Sequence, residues 1–196
     1  MSSTEPKPLR ADARRNRERI VDAARELFAE CGHEAQMDDV ARRAHVGVGT
    51  VYRHFPTKTA LIGELLATKF RHHADIARRH AATEDGWGAF ESFLREAFWS
   101  IAQDATLQQR AIWVDDSEIL AVAEVERRAL NEAVGELIAR AHEEGTLRAD
   151  FTVADIPAVM CSVGAVFAAQ GRMPMRVDRF VELIVDGLRA PGGRAS

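Results

Sequence analysis

One stretch constrains this chain more than any other: Val46-Gly47-Val48-Gly49-Thr50-Val51-Tyr52-Arg53-His54-Phe55-Pro56-Thr57-Lys58. A helix can open after Gly47. It must stop before Pro56, because the residue preceding proline is pushed away from the α region. Within that span Val51 and Phe55 fall on one side of the helix, while Thr50, Tyr52 and His54 fall on the other. Thr57 is a good N-cap for the next helix, and Lys58 opens its first turn. With helices before it, the stretch reads as a helix-turn-helix whose second helix is shaped to enter a DNA major groove.

The flanking sequence supplies those helices. Ile20, Ala24, Leu27, Phe28 and Cys31 recur at helical spacing, so a first helix is expected from about Arg15 to Glu30, closed by Gly32. A second covers about Met37 to Ala44, and His45-Val46-Gly47 forms the turn. Downstream, apolar spacing places a fourth helix to about His80, a fifth over 87–103, a short sixth over 107–114 and a seventh over 120–143. The eighth opens near Asp155-Ile156-Pro157, with Thr152 or Asp155 as cap, and the ninth covers about 177–188. The expected fold is all-α, with about nine helices. The expected divisions are a disordered basic arm (1–13), a helix-turn-helix domain (14–58), a second helical domain (59–190) and a flexible tail (191–196).

A net charge of −4 looks wrong for a nucleic-acid partner, but its distribution is uneven. Residues 1–60 carry 11 Lys/Arg against 9 Asp/Glu, while the remainder carries 15 against 21. The positive end coincides with the helix-turn-helix. No run of 18 apolar residues is present, so no membrane span is expected, and the polar start lacks a signal-peptide core. Cys31 and Cys161 lie far apart on apolar helix faces and read as reduced and cytoplasmic.

The order of helices resembles the TetR family of bacterial transcriptional regulators. The likeness rests on Ala24, Leu27, Phe28, Gly32, Val40, Ala41, Ala44 and Val46, then on Gly49, Thr50, Tyr52, His54, Phe55, Lys58, Leu61 and Leu65. It covers about residues 14–65; beyond them only helix number and length agree. The resemblance implies a DNA surface of Val48, Gly49, Thr50, Tyr52 and His54, with Tyr52 and His54 on phosphates, Thr50 on a phosphate or a base, and Lys58 on a phosphate beside the fourth helix's N-terminus. Arg53 either reads a guanine or faces solvent. Arg14 or Arg15, with Arg10, is expected to reach a minor groove or flanking phosphates. Three positions depart from the family pattern: Met37 stands where Thr or Ser is frequent, His45 where Gly is frequent, and Asp38 is acidic. Asp38 either caps the second helix, which is the preferred reading, or accepts from a cytosine amino group.

The resemblance further implies a homodimer on a double-stranded operator, a small-molecule effector, and repression. Gly164, Ala165 and Ala168 with Phe180, Ile184 and Leu188 are the dimer candidates. Phe70, Phe93, Phe98, Trp99, Trp113, Met160 and Phe167, with Gln103, Gln108 and Asp115 as polar contacts, are the candidate lining for an apolar or aromatic effector. Aromatic residues at such spacing equally build plain core. No cofactor is expected. A metal-responsive regulator is the first rival, from His72, His73, His80 and Asp75, but His73 and His80 are two turns apart. No phosphate loop, nucleophile elbow or H-E-x-x-H motif suggests an enzyme. An effector-independent or architectural DNA binder is the remaining alternative.

Overall fold

The computed structural model describes residues 7–82, 85–103, 117–169 and 176–191. The helices among them are α1 (Lys7–Cys31), α2 (Met37–Arg43), α3 (Val48–His54), α4 (Lys58–Ala81), α5 (Gly86–Gln103), α6 (Ser117–Val122), α7 (Glu124–Glu143), α8 (Ile156–Ala168) and α9 (Val177–Leu188). Short 3-10 turns lie at Gly32–Glu34 and Val153–Asp155, and one isolated bridge pairs Leu147 with Arg189.

Local chemistry sets many of the ends. Gly32 and Gly145 follow α1 and α7 with φ of 57° and 66°, the left-handed conformation that closes helices. The Thr57 hydroxyl accepts from the Ala60 amide at 3.0 Å and caps α4. Before α8, the Asp155 carboxylate accepts from the Thr152 amide at 2.8 Å and its hydroxyl at 3.0 Å, with Pro157 in the first turn.

Three expectations change. First, α1 begins at Lys7, so residues 7–13 are helical rather than a loose arm. Second, the seventh predicted helix is two: it breaks at Ala123, which lets Ile119 turn into one core while Leu137 and Ile138 pack into another. Third, Gln36 rather than Asp38 occupies the N-cap position of α2; Asp38 and Asp39 sit in the first turn, where acidic groups are favoured by the positive end of the helix dipole. The predicted sixth helix lies outside the described residues.

Two hydrophobic cores organise the chain, and α4 belongs to both. The first joins α1, α2 and α3 to the earlier part of α4, and also takes in Ile119 and Ala123. The second joins Ile76 and Ala77 of α4 to α5, α7, α8 and α9. The division between cores therefore runs within α4, not at its start. Gly63 permits a close approach of α6: a Cβ there would stand 2.5 Å from the Val122 Cβ.

Candidate functional site

The head presents α3 as expected from its sequence. Val51 and Phe55 are buried in the first core, which fixes the helix's rotation. Val48 and Tyr52 are then left 40% and 45% exposed, although both are large and apolar or aromatic. Gly49 and Arg53 are exposed, and Thr50 and His54 half-buried. The surface is thus a ridge of a few side chains over a helix of only two turns. Met37, by contrast, is buried as the first residue of α2 and takes no part in it.

The turn before α3 is held from outside. His45 adopts φ of 53°, a left-handed conformation costing a non-glycine residue about 1 kcal/mol. The Arg19 guanidinium donates to the carbonyls of Ala44 at 2.6 Å and His45 at 3.2 Å, which satisfies the end of α2. Arg43 is bidentate to Glu30 at 2.7 Å on both oxygens; its hydrogen bonds hold that carboxyl below the usual range and tie α2 to α1. These arginines count toward the basic end of the sequence, yet they work on the fold.

Other basic groups stay outward. Arg14 and Arg15 are exposed on α1, near Glu18 at 3.8 Å and Asp12 at 3.0 Å. A helix carries them, so they do not extend from a flexible arm. Lys58 lies at the N-terminus of α4 with its ammonium 5.7 Å from the centre of the Phe28 ring. Arg17 stacks over Phe55 at 5.3 Å and pairs with Glu64 at 2.6 Å. Arg71 lies 3.9 Å from Glu64 and 3.3 Å from Glu126 of α7. Ion pairs therefore run from Arg17 of α1 through Glu64 and Arg71 of α4 to Glu126 of α7, with Arg17 also stacked on Phe55 just past α3, a feature no spacing in the sequence had marked.

The second element of the site is a cavity of about 460 Å³ at the seam between the cores. Leu66, Phe70 and Leu120 reach it from the first core; Phe93, Ile156 and Met160 reach it from the second. Leu130 packs against both. His73, Arg127 and Asn131 supply the polar lining. His73 is the one buried polar side chain among the described residues.

Of the predicted lining, Phe70, Phe93 and Met160 face this cavity. Phe98, Trp99 and Phe167 do not: they line a separate cleft of about 300 Å³ with Val177 and Val181, where the side of α5 that bears Phe98 and Trp99 meets Phe167 of α8 and the start of α9. Trp99 is 61% exposed there. Trp113, Asp115 and Gln108, and the side chain of Gln103, lie outside the described residues. His73, Arg127, Asn131 and the leucines were missed; only contacts among three separate helices, α4, α6 and α7, place them together.

The dimer candidates divide likewise. Gly164 and Leu188 are buried within the chain, so neither forms surface. Ala165 is exposed, Phe180 and Ile184 are half-buried, and the Ala168 side chain is outside the described residues. Leu183, 47% exposed, was missed beside them. Among the histidines of the metal reading, His72 is exposed and His80 lies 2.8 Å from the Glu96 carboxylate. Among the described residues no three potential metal ligands converge.

Comparison with known proteins is consistent along the chain. The family model of bacterial regulatory proteins of the tetR family matches residues 20–65. A second, described as the SbtR-like transcriptional regulator C-terminal domain, matches residues 85–190. The HTH-type transcriptional repressor KstR of Rhodococcus jostii is 51% identical over 55 residues, covering 28% of this chain and 26% of that protein. That shared segment spans about a quarter of the relative. The HTH-type transcriptional regulator UidR of Escherichia coli is 27% identical over 154 residues, covering 74% of this chain and 76% of the other. A TetR transcription regulatory protein from Mycobacterium vanbaalenii superposes with a TM-score of 0.62 at 39% identity, over 93% of this chain and all (100%) of that one. The fatty acid degradation regulator FadR of Bacillus halodurans, 20% identical, shares the fold, with a TM-score of 0.72 over 100% of both chains.

Proposed function

The chain belongs to the TetR family of bacterial transcriptional regulators, DNA-binding proteins with a helix-turn-helix head, and from that premise we propose that it is a ligand-released repressor. As a homodimer it holds a near-palindromic operator, and it lets go when a small, largely apolar or aromatic molecule enters the cavity. The observation that carries the reading is the cavity's position: an occupant would touch both the core that fixes α3 and the core of the remaining helices.

In this reading α3 lies in the major groove. Val48 and the Thr50 methyl meet thymine methyls, and Gly49 lets the backbone approach. Tyr52, His54 and Lys58 bind phosphates, Lys58 beside the positive N-terminal end of α4. Arg53 reaches a base edge, and Arg14 and Arg15 flanking phosphates. One helix of two turns gives few base contacts, so two heads are needed, spaced by about 34–36 Å or a multiple. The exposed parts of α8 and α9, around Ala165, Phe180, Leu183 and Ile184, are the surface we assign to dimerisation. Filling the seam releases DNA only if the molecule binds one spacing of the heads better than the other.

The test is selection from a pool of random duplexes by the purified protein, followed by sequencing of retained DNA. A near-palindromic site is expected. Retention without enrichment, lost steeply as salt rises, would show a backbone-only binder and end the operator reading.

A further inference from the structure

We infer that the cavity selects an uncharged molecule: an apolar body bearing a hydroxyl or carbonyl oxygen, which Asn131 and Arg127 hold at the cavity's mouth. The inference rests on the effector site proposed above and specifies what that site accepts.

The argument starts from the charges. No carboxylate is among the cavity's lining side chains in the described residues. Among these side chains an ammonium would lose its hydration without gaining a counter-charge, a large cost in an apolar site. Among the described residues the permanently charged lining group is Arg127, whose side chain is 43% exposed and therefore marks the mouth, while the ionisable His73 lies buried. Its charge is already answered: Nε and Nη2 donate to one Glu124 oxygen at 2.9 and 2.5 Å. Arg128 stands 3.6 Å from the other oxygen and helps to keep Glu124 in place. A carboxylate ligand would have to displace Glu124 or sit beside it, like charge against like.

A neutral oxygen meets neither obstacle. A guanidinium has five N–H donors, and Glu124 occupies two, so the pair can persist while Arg127 donates to a hydroxyl or carbonyl. Asn131 follows Arg127 by four residues on α7, which places the two on adjacent turns of one face. Its amide offers a donor and an acceptor, so it can serve either group. Across the cavity Phe70, Phe93 and Met160 are buried and form an apolar wall for the body of the ligand, with methionine the adaptable member.

The experiment uses the full chain and the neutral fluorescent probe N-phenyl-1-naphthylamine, displaced at neutral pH by decan-1-ol, decanoate and decylamine. The probe is expected to bind. Decan-1-ol should displace it at concentrations at least about tenfold below those of the acid or the amine, the weight of one good hydrogen bond. Asn131→Leu should reduce that advantage severalfold while the probe still binds. Decanoate displacing as well as the alcohol, or Asn131→Leu leaving the order unchanged, would overturn the inference and leave the cavity standing. Ala154→Trp separates the two levels. Ala154 is exposed on the cavity's rim, so the bulk blocks entry without entering a core. If the probe fails to bind wild type, or binds this variant equally well, the cavity is not the effector site and the proposed function loses its trigger.

Discussion

Around the first half of α4 the side chains close on one another. Ile20, Phe28, Val40, Val51 and Leu61 are each at most 1% exposed and come from four helices. Farther along α4, where Leu66 and Phe70 meet Phe93 and Met160, side chains just as apolar leave a hole of about 460 Å³. The same helix thus borders a filled core and an unfilled seam. Close packing fixes one arrangement, because few alternatives fill the same space. An unfilled seam forgoes dispersion contacts and keeps room for another molecule. The head holds one shape; the seam leaves space between the cores.

The largest effect should come from emptying the filled side. Phe28→Ala removes a ring that is 1% exposed between α1 and the neighbouring helices. Such truncations cost about 3–5 kcal/mol where the surroundings cannot collapse. Urea denaturation followed by circular dichroism should show that loss, together with loss of operator binding. A cost under about 1.5 kcal/mol would mean that the head is slack, and the contrast with the seam would fail.

The filled side is also the legible one. Ile20, Ala24, Leu27 and Phe28 announce their face by spacing alone, Thr57 announces its cap, and Gly32 its turn, because each acts within a few residues of chain. His45 is different. Its positive φ becomes tenable through Arg19, 26 residues away, and nothing local signals that partnership. The seam is less legible still. Spacing marks Phe70, Phe93, Phe98 and Phe167 alike as apolar, but which of them face a hole depends on how α4, α5, α7 and α8 converge. That is why Phe70 and Phe93 line the cavity while Phe98 and Phe167 line a cleft toward α9. The break at Ala123 has the same origin: α6 turns to meet the first core, and the apolar positions on both sides of the break had read as one stripe.

Where filled core and seam adjoin, a smaller change should register. Gly63→Ala would place a methyl 2.5 Å from the Val122 Cβ and 3.2 Å from the Ile119 carbonyl oxygen. Contacts that short force α6 away from α4, and overpacking of this kind costs about 1–3 kcal/mol. The expected result is a lower melting temperature, with operator binding altered because α4 carries the head. Unchanged melting would show that α6 yields freely, so that the boundary between the cores is soft rather than packed.

The smallest predicted effect tests whether the head's exposed ridge is shaped by the fold or by its partner. Gly49 lies in the first turn of α3. A Cβ built on it meets nothing within 4 Å, and its φ is not positive, so the protein itself does not require glycine there. Alanine is better than glycine in a helix by about 0.5–1 kcal/mol. Gly49→Ala should therefore raise the melting temperature by a few degrees at most; a gain of 1 kcal/mol gives about 2–4 °C in a chain of this size. If α3 lies against DNA, the same methyl stands between backbone and groove, and affinity for the selected operator should fall. Opposite signs for stability and affinity would show that the bare backbone on α3 serves the contact with DNA. Affinity unchanged, with stability raised, would remove Gly49 from the interface and shift recognition toward Tyr52 and Arg53. Lower stability would mean that the start of α3 tolerates no side chain, and that its glycine belongs to the fold after all.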